Sequence, residues 1–354
     1  MRTIGELVRS VRPLDTEAMS RARVRQDSLT KPRGSLGKLE DLSVRLAGVL
    51  RTDTPSLGGK VVFTMAADHG VTEEGVSAYP QEVTRQMVLN FANGGAAINV
   101  LARSAGAEVR VVDMGVAADS IWPECILNRK IAKGTRNMCK GPAMSLDEAT
   151  RAVLTGAELV TEAVSGGSKA IAVGDMGIGN TTAASAITAA ITGSPVLDVT
   201  GRGTGVDDRS LSLKVRAIER ALNVNSPDPE DGLDVLAKVG GFEIGGIAGA
   251  VLGAASAGVP VFIDGFVSSS AALLATAMEP KCGDYIVASH LSVEPGHNAV
   301  LEHMELEPLL DLDMRLGEGT GAVLAFMLAD CACRVLNEMA TFDGAGVSKS
   351  DKVI

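Results

Sequence analysis

From Lys60 onward the chain alternates short, unbroken apolar runs with longer stretches of helical character, and this alternation limits the possible folds severely. The runs cover residues 61–66, 108–112, 169–173, 259–263 and 285–288, with a weaker one at 196–199. They are continuous rather than alternating, as in parallel strands buried on both faces. Strand–helix repetition of this kind predicts an α/β fold with an open, doubly wound, Rossmann-like parallel sheet. At 354 residues the chain is long enough for one large domain and a smaller appendage. Residues 1–59 read as helical. Asp15 caps a helix running to about Leu29, Pro32 and Gly34 break it, and Ser35 starts a second helix with Leu39, Leu42, Leu46 and Val49 on one face. Residues 52–59 read as a loop. Residues 321–339 read as a further helix, whose Asp330, Arg334 and Glu338 form a polar stripe at i, i+4 spacing. The expected division is a large domain over 60–320 and a smaller helical domain built from 1–59 and 321–354, with a loose tail after Phe342.

Composition narrows the function classes. Apolar residues make up 46% of the chain but aromatics only 3%, and there are 40 glycines. The core must be aliphatic, with glycines allowing close approach of backbones. A formal charge of −10 and no basic stripe with interleaved aromatics argue against nucleic acid as a partner. Five cysteines without paired spacing do not form a disulfide framework. Cys331 and Cys333 point to different faces of one predicted helix, and no histidine cluster accompanies them, so no metal is assigned. The segment MRTIGELVRSVRPLD carries charges throughout and lacks the apolar core of a signal peptide. Two uncharged stretches, 176–197 and 244–263, have membrane-spanning length. Their Gly, Ala, Ser and Thr content and the interruptions at Pro195 and Pro260 fit buried helix, turn and strand better. A cytoplasmic protein without membrane contact is expected.

In doubly wound sheets ligands bind beyond the carboxyl ends of the strands, so the loops after the apolar runs carry the functional reading. Residues 174–182, GDMGIGNTT, follow a run and open an Ala/Thr-rich helix. Glycines with a helix amino terminus suit a phosphate, and a tight strand-to-helix turn is the plainer alternative. The loop is neither G-x-G-x-x-G nor a Walker A sequence. Residues 200–205, TGRGTG, form a second glycine-rich loop, followed by Asp207 and Asp208. The acid pair follows the TG segment, the reverse of the order in magnesium-dependent enzymes of phosphoribosyl pyrophosphate. Lys214 on the next helix either supplies a point charge to the phosphate or is an ordinary surface lysine. Residues 314–322, MRLGEGTGA, set Glu318 between two glycines at a helix start. It is a candidate base there, or a charge complementing the helix dipole. Asp68 and His69 in ADHGV, and His290 in ASHLS, read as hydrogen-bonded structural residues.

Together these segments resemble one family. KPRGSLGKLE (31–40), ADHGV (67–71), GDMGIGNTT, GRGTG, KVGGFEIGG (238–246), DGF (264–266), SHLS (289–292) and MRLGEGTGA occur in the order expected of nicotinate-nucleotide:dimethylbenzimidazole phosphoribosyltransferases. The resemblance implies a Rossmann-like large domain, a helical small domain and a homodimer, with transfer of the ribosyl phosphate of nicotinate mononucleotide to a benzimidazole. It implies Glu318 as catalytic base. It places Asp175, Gly177, Ile178, Gly179, Asn180, Thr181, Gly203, Lys214 and Ser292 around the phosphate and ribose, and Tyr79, Met87, Leu316 and Gly317 around the base. Two departures stand out. The family's loop usually has Glu where this chain has Asp175, and some members carry Ser and Gln where Tyr79 and Met87 stand.

The implied reaction needs no cofactor. A pyridinium leaves as a neutral ring, so neither a general acid nor Mg²⁺ is required. One benzimidazole nitrogen attacks while a carboxylate takes the proton from the other, a contribution of roughly 10²–10⁴-fold. Two rivals are a Rossmann dehydrogenase, whose fingerprint is absent, and a non-catalytic nucleotide-binding module. The acceptor itself is open among dimethylbenzimidazole, other benzimidazoles, adenine and phenols.

Overall fold

The computed structural model describes residues 3–119, 121–203 and 205–348. Six parallel strands form the central sheet: β1 (Lys60–Ala67), β2 (Ala107–Gly115), β3 (Ile126–Asn128), β4 (Ala170–Met176), β5 (Val261–Ile263) and β6 (Ile286–Ala288). Their order is β3-β2-β1-β4-β5-β6. The chain winds outward to one edge from β1 and to the other from β4, so strand order reverses between these two. Residues alternate between faces as the pleat dictates. Val61, Phe63, Met65 and Ala67 enter one apolar cluster, while Val62 and Ala66 enter another on the opposite side. Burial on both faces explains the unbroken apolar runs.

The glycine-rich composition has a direct packing consequence. The helix Phe242–Ala257 is buried through most of its length and lies against the helix Leu146–Ser165. A Cβ on Gly156 would fall 1.8 Å from the Gly246 carbonyl oxygen, and one on Gly249 would fall 1.8 Å from that of Val153. Only glycine permits this backbone-to-backbone contact.

The amino-terminal helices form as expected. Asp15 accepts from the Ala18 N–H at 2.9 Å and caps Thr16–Ser28. The next helix runs Lys38–Leu50 rather than from Ser35, because residues 34–37 are held in a turn in which Glu40 accepts from the Gly34 and Leu36 amides. The helix Thr320–Glu338 packs against Lys38–Leu50 and also against β4 and β5. Its polar stripe is only partly a stripe of partners: Arg334 pairs with Glu338 at 3.1 Å, but Asp330 reaches Lys60 at the start of β1. This helix is long and apolar enough to cross a membrane by composition, yet it is largely buried in the protein. Cys331 is exposed and Cys333 buried, as the helical spacing demands.

The structure departs from the sequence pattern at three further places. Residues 196–199 form a turn, not a strand, because Pro195 and the short Thr200 turn keep the segment off the sheet. A small parallel pair, β7 (His290–Ser292) with β8 (Leu310–Met314), has no counterpart in the sequence pattern. β8 alternates Leu and Asp and lacks an apolar run. Thirdly, the segment after Phe342 begins with a short helix, Phe342–Ala345, capped by Thr341. Residues 349–354 of the expected tail lie outside the described residues.

Candidate active site

At the carboxyl ends of β4, β5 and β6 lies a cleft of about 260 Å³. Ten of the residues expected around the phosphate, the ribose and the acceptor base come together on its wall. Asp175 comes from the end of β4, Gly177 and Ile178 from the loop after it, Asn180 and Thr181 from the start of the helix Asn180–Thr192, Gly203 from a neighbouring loop and Ser292 from the end of β7. Tyr79, Leu316 and Gly317 complete the set. Tyr79 and Leu316 are 55% and 57% exposed, so they stand at the mouth. Gly179, Lys214 and Glu318 lie directly behind this wall, whereas Met87 sits on the helix Glu82–Ala92 and packs into an apolar cluster.

The loop after β4 is built to present a bare helix end. Gly179 precedes the helix Asn180–Thr192 at φ +95°, and no side chain caps that helix. The Ile178 amide donates to Thr84 Oγ1 at 3.1 Å, and Asn180 Nδ2 donates to Asp175 Oδ2 at 2.7 Å. Lys214 approaches from the helix Asp208–Asn225, itself capped by Asp207. Its ammonium donates to Thr181 Oγ1 at 2.9 Å and to the Gly201 carbonyl at 3.1 Å. It is 1% exposed, and burial draws its pKa down to about 8 against the pull of Glu294. Lys214 is therefore no surface lysine. Asp208 pairs with Arg202 rather than pointing into the cleft, and Thr204 of the same loop lies outside the described residues.

Glu318 is anchored to β1, to β4 and to the helix Ala97–Ala105. Its N–H donates to the Asp175 carbonyl at 3.2 Å, its carbonyl accepts from Thr64 Oγ1 at 2.8 Å, and Oε2 accepts from the Ile98 amide at 3.3 Å. Its φ is +66°, in the left-handed region that disfavours a residue with a Cβ. Contact with β4 fixes it there: a Cβ on Gly174 would fall 2.1 Å from the Gly319 nitrogen and 2.2 Å from the Glu318 carbonyl carbon. Burial raises the Glu318 pKa, the Ile98 amide opposes, and the Asp264 charge adds to the rise.

The sequence reading did not single out Asp264 or Glu294, and gave Glu243 no role. Asp264, just past β5, accepts from the amides of Gly319, Gly321 and Ala322 at 2.9, 2.6 and 3.2 Å. It thus caps the helix Thr320–Glu338 from a distant part of the chain, where Gly319 offers no side chain. His290 Nε2 stands 3.5 Å from Asp264 Oδ1. Burial disfavours the imidazolium, yet Asp264 and the Leu291 carbonyl outweigh it and raise the His290 pKa. His297 accepts from the Ser292 amide at 2.9 Å, and its Nε2 lies 2.8 Å from Ser269 Oγ. Burial, with His290 nearby, takes its pKa down to about 3, so it is neutral. His69 lies 2.6 Å from Glu243 behind Gly177. Burial works against its charge, but Glu243 and Asp68 raise its pKa overall. All three are hydrogen-bonded; this is the sequence reading of His69 and His290, whereas His297 is not singled out there. The signals available for Asp264 were its position directly after an apolar run and its place in the DGF segment.

Asp175 collects the consequences of this arrangement. Burial pushes it up to about 8, with repulsion from Asp264 and Glu243, partial relief from Asn180, and a contribution from Glu318. One end of the cleft therefore offers an uncapped helix terminus with a buried ammonium, suited to an anion. Beside it stand Glu318, a carboxylate of raised proton affinity suited to taking up a proton, and Asp175, which holds its own proton up to about pH 8.

The family model described as phosphoribosyltransferase matches residues 11–347. The nicotinate-nucleotide–dimethylbenzimidazole phosphoribosyltransferase of Chloroflexus aggregans is 58% identical over 349 residues, covering 99% of each chain. The enzyme of the same name from Roseiflexus sp. is 57% identical, covering 98% of this chain and 99% of that one. The crystal structure of CobT from Thermus thermophilus matches with a TM-score of 0.91 at 51% identity, covering 94% of this chain and all of the other. With a match over nearly its whole length, the chain belongs to the phosphoribosyltransferase family that includes these nicotinate-nucleotide–dimethylbenzimidazole enzymes.

Proposed function

We infer that this protein is an enzyme that transfers the ribosyl 5-phosphate of nicotinate mononucleotide to 5,6-dimethylbenzimidazole, giving α-ribazole 5-phosphate and nicotinate for the lower ligand of cobalamin. The observation that carries this reading is a cleft lined by Asn180 and Thr181 of the uncapped Asn180–Thr192 terminus and by Gly317, the neighbour of Glu318, in a chain 58% identical to an enzyme of that name. In this reading Gly177, Ile178, Gly179, Asn180, Thr181, Gly203 and Lys214 hold the phosphate, and Asp175 and Ser292 face the ribose. Tyr79, Leu316 and Gly317 border the acceptor base, with Met87 supporting that side.

The chemistry follows from these roles. One acceptor nitrogen forms a bond to the anomeric carbon as the bond to the pyridinium nitrogen breaks, its electron pair returning to the ring. Attack opposite the leaving group inverts β to α. The acceptor's other N–H becomes acidic, and Glu318 takes that proton. Base catalysis contributes roughly 10²–10⁴-fold, and alignment of two bound substrates supplies much of the rest. A cytoplasmic homodimer completes the proposal. Incubation with nicotinate mononucleotide and dimethylbenzimidazole, followed by chromatography, tests it: stoichiometric free nicotinate and α-ribazole 5-phosphate are expected. A protein that binds the nucleotide without releasing nicotinate refutes the enzymatic reading.

A further inference from the structure

The loop at the anion end of the cleft already holds a negative group. Gly203 lies against Thr181 and Lys214, and its N–H donates to Glu294 Oε1 at 2.9 Å. Glu294 precedes the helix Pro295–His303, where an acidic side chain ordinarily caps the helix it precedes. It makes no such bond and turns instead to a loop 91 positions earlier. The side chain is 7% exposed, and its second oxygen, Oε2, is buried with no hydrogen-bond partner among the described residues. That oxygen presses on Gly201 so closely that a Cβ there would lie 2.0 Å away. A buried carboxylate oxygen left unsatisfied is costly. A side chain serving only to brace the loop has no reason to keep one.

We propose that Glu294 is the resident anion of the phosphate subsite, holding the Gly203 amide until a phosphoryl group displaces it. This rests on the reading in which this end of the cleft takes the phosphate. A carboxylate resembles a phosphoryl group in offering two oxygens to amide donors. It keeps the loop of Gly201 and Gly203 ordered before substrate binds, together with Lys214 on the Gly201 carbonyl and Arg315 on that of Gly203 at 3.2 Å. An incoming dianion meets this charge and must take over its donor. A phosphate monoester whose sugar is anchored elsewhere in the cleft can offset that repulsion, whereas inorganic phosphate cannot. Glu294 therefore keeps the empty subsite free of small anions, by a repulsion that the monoester's sugar contacts offset.

Glu294→Gln tests the idea, because it keeps size and the acceptor oxygen while removing the charge. Calorimetric titration uses ribose 5-phosphate, inorganic phosphate and the unphosphorylated nicotinate riboside. The expected result is binding about tenfold tighter for both phosphate ligands, the scale of a relieved charge–charge repulsion, with the riboside unchanged. Equal or weaker phosphate binding overturns the proposal and makes Glu294 a simple brace. Should the Gln variant melt early, Glu294→Ala, which removes both the charge and the group that holds the Gly203 amide, must tighten phosphate binding in the same direction; weaker binding there overturns it equally. A wild-type protein that binds the riboside as tightly as nicotinate mononucleotide refutes the phosphate subsite itself, a separate result that removes the proposal's premise.

Discussion

Replacing Gly174 by alanine displaces the Glu318 carboxylate without touching any ligand. The added Cβ would lie 2.1 Å from the Gly319 nitrogen and 2.2 and 2.4 Å from the Glu318 carbonyl carbon and oxygen. Ordinary contact begins near 3.4 Å, so the Glu318–Gly319 peptide must retreat by about 1.3 Å. β4 cannot yield, because it is paired with β1 on one side and β5 on the other. The loop is the softer partner, and its anchors at Thr64, Asp175 and Ile98 lengthen or break. Overpacking of this kind costs about 1–3 kcal/mol of stability. A misplacement of about 1 Å in a reacting group costs on the order of 10²-fold in rate. The phosphate loop starts three residues further on and stays where it is. Steady-state kinetics should therefore show kcat reduced about a hundredfold, with KM for nicotinate mononucleotide changed by less than about threefold. Circular dichroism melting checks that the fold survives. A folded variant with kcat within about threefold of wild type would refute the reasoning, since Glu318 could then not depend on its present position.

Glu318→Gln should keep the affinity for both substrates and lose about two or more orders of magnitude in kcat. Because burial and Asp264 raise the Glu318 pKa, the acid limb of the wild-type kcat profile should lie above the ordinary glutamate range; a limb at or below that range removes Glu318 from the role of base. Gly179→Val places a Cβ 2.9 Å from Thr72 Cγ2 at φ +95°; titration should show nicotinate mononucleotide binding abolished and benzimidazole binding still measurable. Asp175 is raised from 3.8 to about 8 on folding, so its protonated form contributes stability that is complete below about pH 3.8 and lost as pH rises through about 8. The melting temperature should fall across that window, and Asp175→Asn should flatten the fall; an equally steep fall in the variant assigns it to other groups.

The sheet was legible because burial on both faces leaves a local mark: unbroken apolar runs at β1, β2, β4, β5 and β6. β3 and β8 left none. β3 is three residues long at the sheet edge, and β8 alternates Leu and Asp on an exposed pair. Pattern also misled at residues 196–199, where Val and Leu flank a turn instead of a strand. The site was legible in the same way and to the same limit. Gly177, Gly179, Asn180 and Glu318 sit in glycine-rich segments whose spacing states a local need. Asp264 and Glu294 act across distance, on amides 55 and 91 positions away, and a linear motif carries no record of such partners.

This long-range part explains why the cleft suits a reaction that gathers positive charge. Asp175, Glu243, Asp264 and Glu318 reach the same region from four separate loops and helices, and the other three each raise the cost of ionising Asp175. In isolation such clustering is unfavourable, since like charges in a buried site push protons onto one another. The arrangement is relieved in two places: Asp264 is stabilised by three helix amides and His290, and Glu243 by His69. Asp175 and Glu318 have weaker partners, one Asn180 amide and one Ile98 amide respectively. In the proposed reaction the sugar gains oxocarbenium character and the acceptor base becomes cationic as the bonds exchange. Those charges are what the two under-compensated carboxylates lack, so their interaction is stronger in the transition state than with the neutral acceptor before attack. An interaction that strengthens along the reaction coordinate raises kcat, whereas one equal in both states only tightens binding. The burial that makes Asp175 and Glu318 poor anions before substrate binds is, by the same physics, what makes them effective during transfer.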